Sequence, residues 1–189
     1  MSVPARLPPA EITHLTLGYM RLSDAAPLIL AKEAGLYEQY GLDVTLHREV
    51  SWANLRDKLV VGELDAAQLL APLPMTTTFG AGGIRGNLLT GLSLGLNGNA
   101  ITVSNRIWAQ IEPALPKGPD GKPIHPISAS ALRPVVDRFR AQGKPLKFGM
   151  VFPVSTHNYE LRYWLAAGGV HPGFYLPGDV AGTTGADIQ

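Results

Sequence analysis

The chain has no cysteine among its 189 residues. That absence removes disulfides, thiolate metal sites and cysteine nucleophiles together, and because it suits any compartment it leaves location open. Charge is sparse and balanced: 16 Lys and Arg stand against 15 Asp and Glu, a net +1. With no basic cluster either, there is no electrostatic case for direct nucleic-acid binding. No apolar run reaches the roughly 18 residues a membrane helix needs. Met1 to Thr13 (MSVPARLPPAEIT) carries a lone Arg6 and scattered prolines but no apolar central region, so it does not read as a secretory signal. With Met1 as the natural start the chain is expected in the cytoplasm, and a trimmed start removes that argument. His14, His47, His125 and His171 are scattered without metal spacing. Gly80–Gly86 lacks the glycine spacing of a dinucleotide or P-loop fingerprint and reads as a turn. No Ser/His/Asp order points to a hydrolase, so the expectation is a protein that is not an enzyme, with no cofactor and no metal.

What is present is an ordinary globular pattern, 46% hydrophobic. His14–Met20 alternates like a strand, Asp24 is a candidate N-cap for a helix carrying Pro27, Leu28 and Leu30, and Gly35 ends that helix. Leu42–His47 reads as a second strand. Ser51 caps a helix from Trp52 to Val61, with Leu55 and Leu59 one turn apart and Gly62 as its stop. Asp65–Leu70 reads as a short buried strand, followed by a Pro72/Pro74 turn into a helix near Met75–Phe79. This β-α-β-α-β order predicts a parallel sheet. Leu88–Leu96 and Ala100–Ser104 are apolar runs either side of the turn signal Asn97-Gly-Asn99. Pro113–Pro126 reads as a loop, Ser130–Gln142 as a helix, and the tail from Gly178 as loop-like. The division expected is an extension over 1–13, an α/β lobe over 14–100 and a partial α/β lobe over 101–189, hinged near Ala100–Ser104.

The most informative stretch is Met150–Pro172. Leu146, Phe148, Met150 and Phe152 alternate as a half-buried strand, and Pro153 ends it. Ser155, Thr156 and His157 then open a helix that closes at Gly168-Gly169. A helix start of this kind favours a small anion, because unpaired N–H groups and the positive end of the helix dipole both face it. Thr156 supplies a hydroxyl, and His157, expected neutral beside the dipole, supplies one ring N–H. Gln68, at the carboxyl end of a strand, lies where open α/β sheets bind ligands; its amide donates and does not titrate. Asn99 either reaches such a site or serves only its turn. Tyr159, Leu161, Tyr163, Trp164 and Leu165 read mainly as packing. The residues alone carry the reading to an α/β protein with an anion-friendly helix start.

Leu17–Leu28, Ser51–Leu59, Gly62–Gln68, Leu96–Asn105 and Phe152–Pro172, taken in order, resemble the nitrate- and bicarbonate-binding proteins of ABC uptake systems and the cytoplasmic nitrate sensors related to them. The resemblance implies a periplasmic-binding-protein-like (type II) two-lobe fold, in which ligand sits between α/β lobes. It also implies that Trp52 lines the anion pocket through its ring N–H, beside Gln68, Asn99, Thr156 and His157. The family runs longer than this chain, roughly twofold, so the resemblance is to an N-terminal portion, incomplete at the C-terminus. A ligand group normally supplied later is then absent, and a fragment or truncated product is expected.

The function implied is binding of nitrate or nitrite for an ABC permease and ATPase, on the periplasmic side if the start is trimmed. Bicarbonate ranks lower, because its branch uses calcium with carboxylate help and no carboxylate cluster stands out here. The alternative is a cytoplasmic nitrate sensor acting on an antiterminator-type regulator. A synthase for a thiamine precursor, from the same superfamily, ranks last because it needs a cysteine-rich iron site.

Overall fold

A computed structural model describes residues 8–81, 83–96, 98–179 and 181–189. The start of the N-terminal extension and Asn97 of the turn signal fall outside them. The chain divides into two compact units, Met1–Asn97 and Gly98–Gln189.

The first unit is built on three parallel strands in the order β2-β1-β3. Strand β1 is His14–Tyr19, β2 is Asp43–Arg48 and β3 is Ala66–Ala67. β1 pairs with β2 from His14↔Asp43 to Tyr19↔Arg48, and with β3 at Leu17↔Ala66 and Gly18↔Ala67. Helices α1 (Ala26–Glu33), α2 (Leu36–Gln39), α3 (Trp52–Val60) and α4 (Pro72–Phe79) complete it. The expected parallel sheet is present. Gly18 permits its packing: a Cβ there would lie 2.5 Å from Leu64 Cδ1 and 2.6 Å from Leu55 Cδ2, both side chains of the core that covers the sheet.

Two expectations change. Asp24 makes no cap bond; a 3-10 turn over Ser23–Ala25 leads into α1 instead, and Pro27 in the first turn of α1 starts the helix without a side-chain cap. The strand expected over Asp65–Leu70 shrinks to two residues, because side chains take over at both ends. Asp65 Oδ2 accepts the Thr16 N–H at 2.7 Å, and Gln68 Oε1 accepts the Met20 N–H at 2.9 Å. Ser51, by contrast, caps α3 as expected, accepting from the Asn54 N–H.

The second unit holds α5 (Asn105–Ile111), α6 (Arg133–Ala141) and α7 (Thr156–Ala167). α5 was not expected; Ser104, read as the end of an apolar run, is its N-cap. The helix expected from Ser130 opens as a 3-10 turn over Ala129–Leu132 before becoming α6. Leu132, Val135 and Val136 project from this element into a core with Ile107, Ile111, Leu165 and Val170. Gly168 closes α7 where a Cβ would meet the backbone of Ala129 and Ser130, so helix and turn touch directly.

The half-buried strand expected over Leu146–Phe152 does not form. Only Leu146 makes a bridge, parallel to Ile188, with Phe148 N–H donating to the Gln189 carbonyl. A strand needs partners along its length, and beyond Phe148 none is present among the described residues. Leu88–Leu96 and Ala100–Ser104 likewise form no strand among the described residues. The tail is not loose either. Asp187 accepts the His171 N–H and pairs with Arg133 at 3.1 Å and Arg140 at 2.6 Å, and Ile188 is buried.

Candidate functional site

Two places, one in each unit, carry the residues singled out by the sequence. In the first unit they lie at the carboxyl ends of the parallel strands, the edge at which open α/β sheets bind ligands. Gln68 follows β3 and is only 2% exposed. Its Oε1 is held by the Met20 N–H and its own N–H by the Gly18 carbonyl, which fixes the amide between two strands. Its Nε2 is buried and has no hydrogen-bond partner. Such a donor costs about 1–3 kcal/mol unless something accepts from it. Trp52 opens α3 directly after β2 and is buried.

A charged group at this edge escaped the sequence reading. Glu49, just past β2, is buried and receives Lys58 Nζ at 2.7 Å and His47 Nδ1 at 2.8 Å. The Lys58 hydrogen bond, and secondarily its charge and His47, hold the Glu49 carboxyl below its ordinary range against the opposing effect of burial. The signal was the alternation of β2, which turns His47 and Glu49 to one side of the strand.

In the second unit, Asn99, Thr156 and His157 do come together. Asn99 and His157 line a cleft of about 480 Å³, together with Ile107, Leu132 and Leu161. Asn99 Nδ2 donates to Thr156 Oγ1 at 3.2 Å and to Glu160 Oε2 at 2.8 Å. Asn99 therefore does more than serve a turn. Ser155 is fully buried, caps α7 through the Asn158 N–H and donates to the Phe152 carbonyl. That rigid cap leaves the N–H groups of Thr156 and His157 unengaged among the described residues. His157 Nδ1 is buried and unpartnered.

The residue missed here is Glu160, a carboxylate one helical turn after Thr156 that lines the same cleft. The i,i+4 spacing was the available clue. It is an acceptor, so it opposes a bare anion beside it and welcomes one that still carries a proton. The aromatic surface of α7 divides: Leu165 is fully buried with Leu161 and Trp164 packed alongside, whereas Tyr159 and Tyr163 are exposed.

Among the described residues, three buried side-chain polar atoms lack a partner: Gln68 Nε2, Thr77 Oγ1 and His157 Nδ1. Two of the three belong to residues chosen from the sequence as anion donors. Among the described residues, no helix is long and apolar enough to cross a membrane.

Comparison with known proteins places the chain in a family. The NMT1-like family matches residues 8–189. The chain is 36% identical over 170 residues to the nitrate/nitrite binding protein NrtA of Synechocystis sp. (strain ATCC 27184 / PCC 6803 / Kazusa), covering 86% of this chain and 34% of that protein. It is 37% identical over 166 residues to the bicarbonate transport ATP-binding protein CmpC of the same strain, covering 86% of this chain and 22% of that one. The crystal structure of the periplasmic nitrate-binding protein NrtA from Synechocystis PCC 6803 superposes with a TM-score of 0.68 at 35% identity, covering 86% of this chain and 40% of the other. The resemblance read from the motifs and the α/β binding-protein fold are therefore both present. The chain spans at most about a third of the curated relatives it matches here, a larger difference in length than the motifs suggested.

Proposed function

The chain belongs to the NMT1-like family, and from that premise we propose that it binds a small planar oxyanion, nitrate or nitrite ahead of bicarbonate. The observation that carries the reading is the buried, unpartnered His157 nitrogen of the second unit; the first unit has a nitrogen of the same kind on Gln68. His157 lies in the first turn of α7 and Gln68 just past β3, and a buried donor left without an acceptor is costly. Nitrate and nitrite have only acceptors to offer, so they satisfy such groups without a proton changing hands. The Thr156 hydroxyl, oriented by Asn99, and the first N–H groups of α7 add donors beside His157, and in the first unit Trp52 is assigned a ring N–H beside Gln68. Hydrogen-bond donors of this kind suit reversible capture better than bond-making.

In this reading the protein presents its anion to an ABC permease with its ATPase, on the periplasmic side where the solved relative is described. Glu160 works against that order, so the ligand preference is tested at this residue. Nitrate and nitrite bring no proton to share with it, so their site centres on the His157 and Thr156 N–H groups, away from the carboxylate. Bicarbonate, with one O–H donor, gains from Glu160 what the others lose.

Isothermal titration with nitrate, nitrite, bicarbonate and chloride tests this. Nitrate and nitrite are expected to bind and chloride to give no heat. Silence toward all three oxyanions overturns the proposal, and a preference for bicarbonate that disappears in Glu160→Gln reverses the ligand order.

A further inference from the structure

The hydrogen bonds that join Asn99 to α7 have a fixed direction. A carboxylate offers only acceptor oxygens, so the Asn99 atom that faces Glu160 is the amide nitrogen. The same Nδ2 carries two protons. One goes to Glu160 Oε2 at 2.8 Å and the other to Thr156 Oγ1 at 3.2 Å. The two acceptors stand at i and i+4 on α7, one turn apart on the same face, so a single nitrogen spans both.

Accepting from Asn99 decides what the Thr156 hydroxyl is left to do. A hydroxyl has one proton and two lone pairs. With a lone pair engaged by Asn99, the proton points elsewhere, and among the described residues Thr156 Oγ1 makes no other hydrogen bond. The next residue is His157, with its buried and unpartnered Nδ1. Asn99 has little else to hold it in place. Among the described residues no main-chain N–H of 98–103 donates a hydrogen bond. Glu160 supplies the shorter of the two ties from Asn99 to α7.

We propose that Glu160 is a positioning residue: through Asn99 it holds the Thr156 hydroxyl as a donor toward the ligand beside His157. This rests on the anion reading above and narrows it to oxyanions that present a bare acceptor oxygen at that point. Nitrate and nitrite meet the requirement at every oxygen, bicarbonate only at those without its proton. Glu160 then acts in two opposite senses. Its charge repels a bare anion, whereas its bond to Asn99 prepares a donor for one. Glutamine at this position separates the two, because its side-chain oxygen keeps the acceptor while the charge is gone. Alanine removes both.

The test is nitrate affinity by titration calorimetry for the parent, Glu160→Gln and Glu160→Ala, and for each of these combined with Thr156→Val. Glu160 is exposed and Thr156 half-buried, and circular dichroism checks that every variant folds. Glu160→Ala is expected to bind nitrate roughly threefold or more weakly than Glu160→Gln, as for one lost hydrogen bond. Charge repulsion alone predicts equal affinities for these two. In the Thr156→Val background the gap should close, because the hydroxyl through which Glu160 acts is gone. A readout without ligand is proton exchange at the Asn99 side-chain amide. It should be slower than at the exposed Asn54 in the parent and in Glu160→Gln, and faster in Glu160→Ala. Equal affinities of the two variants, a gap that persists with Thr156→Val, or an Asn99 amide that exchanges like Asn54 overturns the proposal. Each of those results leaves nitrate binding by the parent standing. A parent silent toward nitrate and nitrite is the failure of the anion reading, and it takes the positioning role with it even where the Asn99 amide is protected.

Discussion

Gln68→Glu replaces one nitrogen with one oxygen, and the structure fixes its consequences closely. The Oε1 that accepts the Met20 N–H at 2.9 Å is kept, so the bond between β1 and β3 survives. The unpartnered Nε2 becomes a second carboxyl oxygen in a site only 2% exposed. Burial disfavours the ionised form, so this carboxyl is expected to bind its proton above the ordinary glutamate range. The folded state then loses stability as pH rises past the unfolded value of about 4.3. For the anion the change is direct once the carboxyl is ionised and has no proton left to donate. A hydrogen bond to a charged partner contributes about 1.5–3 kcal/mol, so its loss weakens nitrate binding roughly tenfold to over a hundredfold. Gln68→Met is the complement: it removes donor and acceptor together, and stranding the Met20 N–H costs about 1–3 kcal/mol of stability. Thermal unfolding with graded nitrate reads both effects, since ligand at 100 times Kd stabilises by about 2.7 kcal/mol. The parent should shift with nitrate, and Gln68→Glu should need at least tenfold more nitrate for the same shift. An unchanged nitrate response in Gln68→Glu refutes the assignment of Nε2 as a ligand donor.

Gly168→Ala should destabilise the second unit by about 1–3 kcal/mol through overpacking, despite the stiffer unfolded chain, because its Cβ meets the Ala129 and Ser130 backbone; a thermal midpoint equal to the parent's contradicts that packing. Ser155→Ala should cost about 0.5–2 kcal/mol as a lost cap, read by urea denaturation, and a neutral result shows that the Asn158 N–H finds another acceptor. Glu49, held low chiefly by Lys58, contributes stability that is complete above its ordinary value of 4.5 and lost as pH falls through its lower folded value. Urea midpoints between pH 7 and 3 should therefore fall more steeply for the parent than for Glu49→Gln, and parallel curves refute the pairing.

What was legible in the sequence divides along physical lines. Caps and stops were readable because they are local: Ser51 and Ser155 each accept an N–H three residues on, and Gly35 and Gly62 take the left-handed conformation that ends a helix. Asp24 failed as a cap because Pro27 could start α1 alone. α5 was hidden because its cap, Ser104, closes an apolar run that reads equally well as strand. Asp187 and Glu49 were invisible for another reason: their partners lie 47 and 54 residues away for the one, and on the following helix for the other.

The strand expectation at Leu146–Phe152 is the instructive failure. Alternation reports a segment's suitability for a ladder, not the presence of a partner. Leu146 buried, Lys147 exposed and Phe148 half-buried show that the pattern is obeyed where Ile188 and Gln189 lie alongside. From Met150 onward the same pattern leaves apolar side chains in the open. Among the described residues the N–H groups of 149–151 make no hydrogen bond, although the apolar pattern continues. The expectation therefore failed at the point where Ile188 and Gln189 stop running alongside, not where the alternation stops.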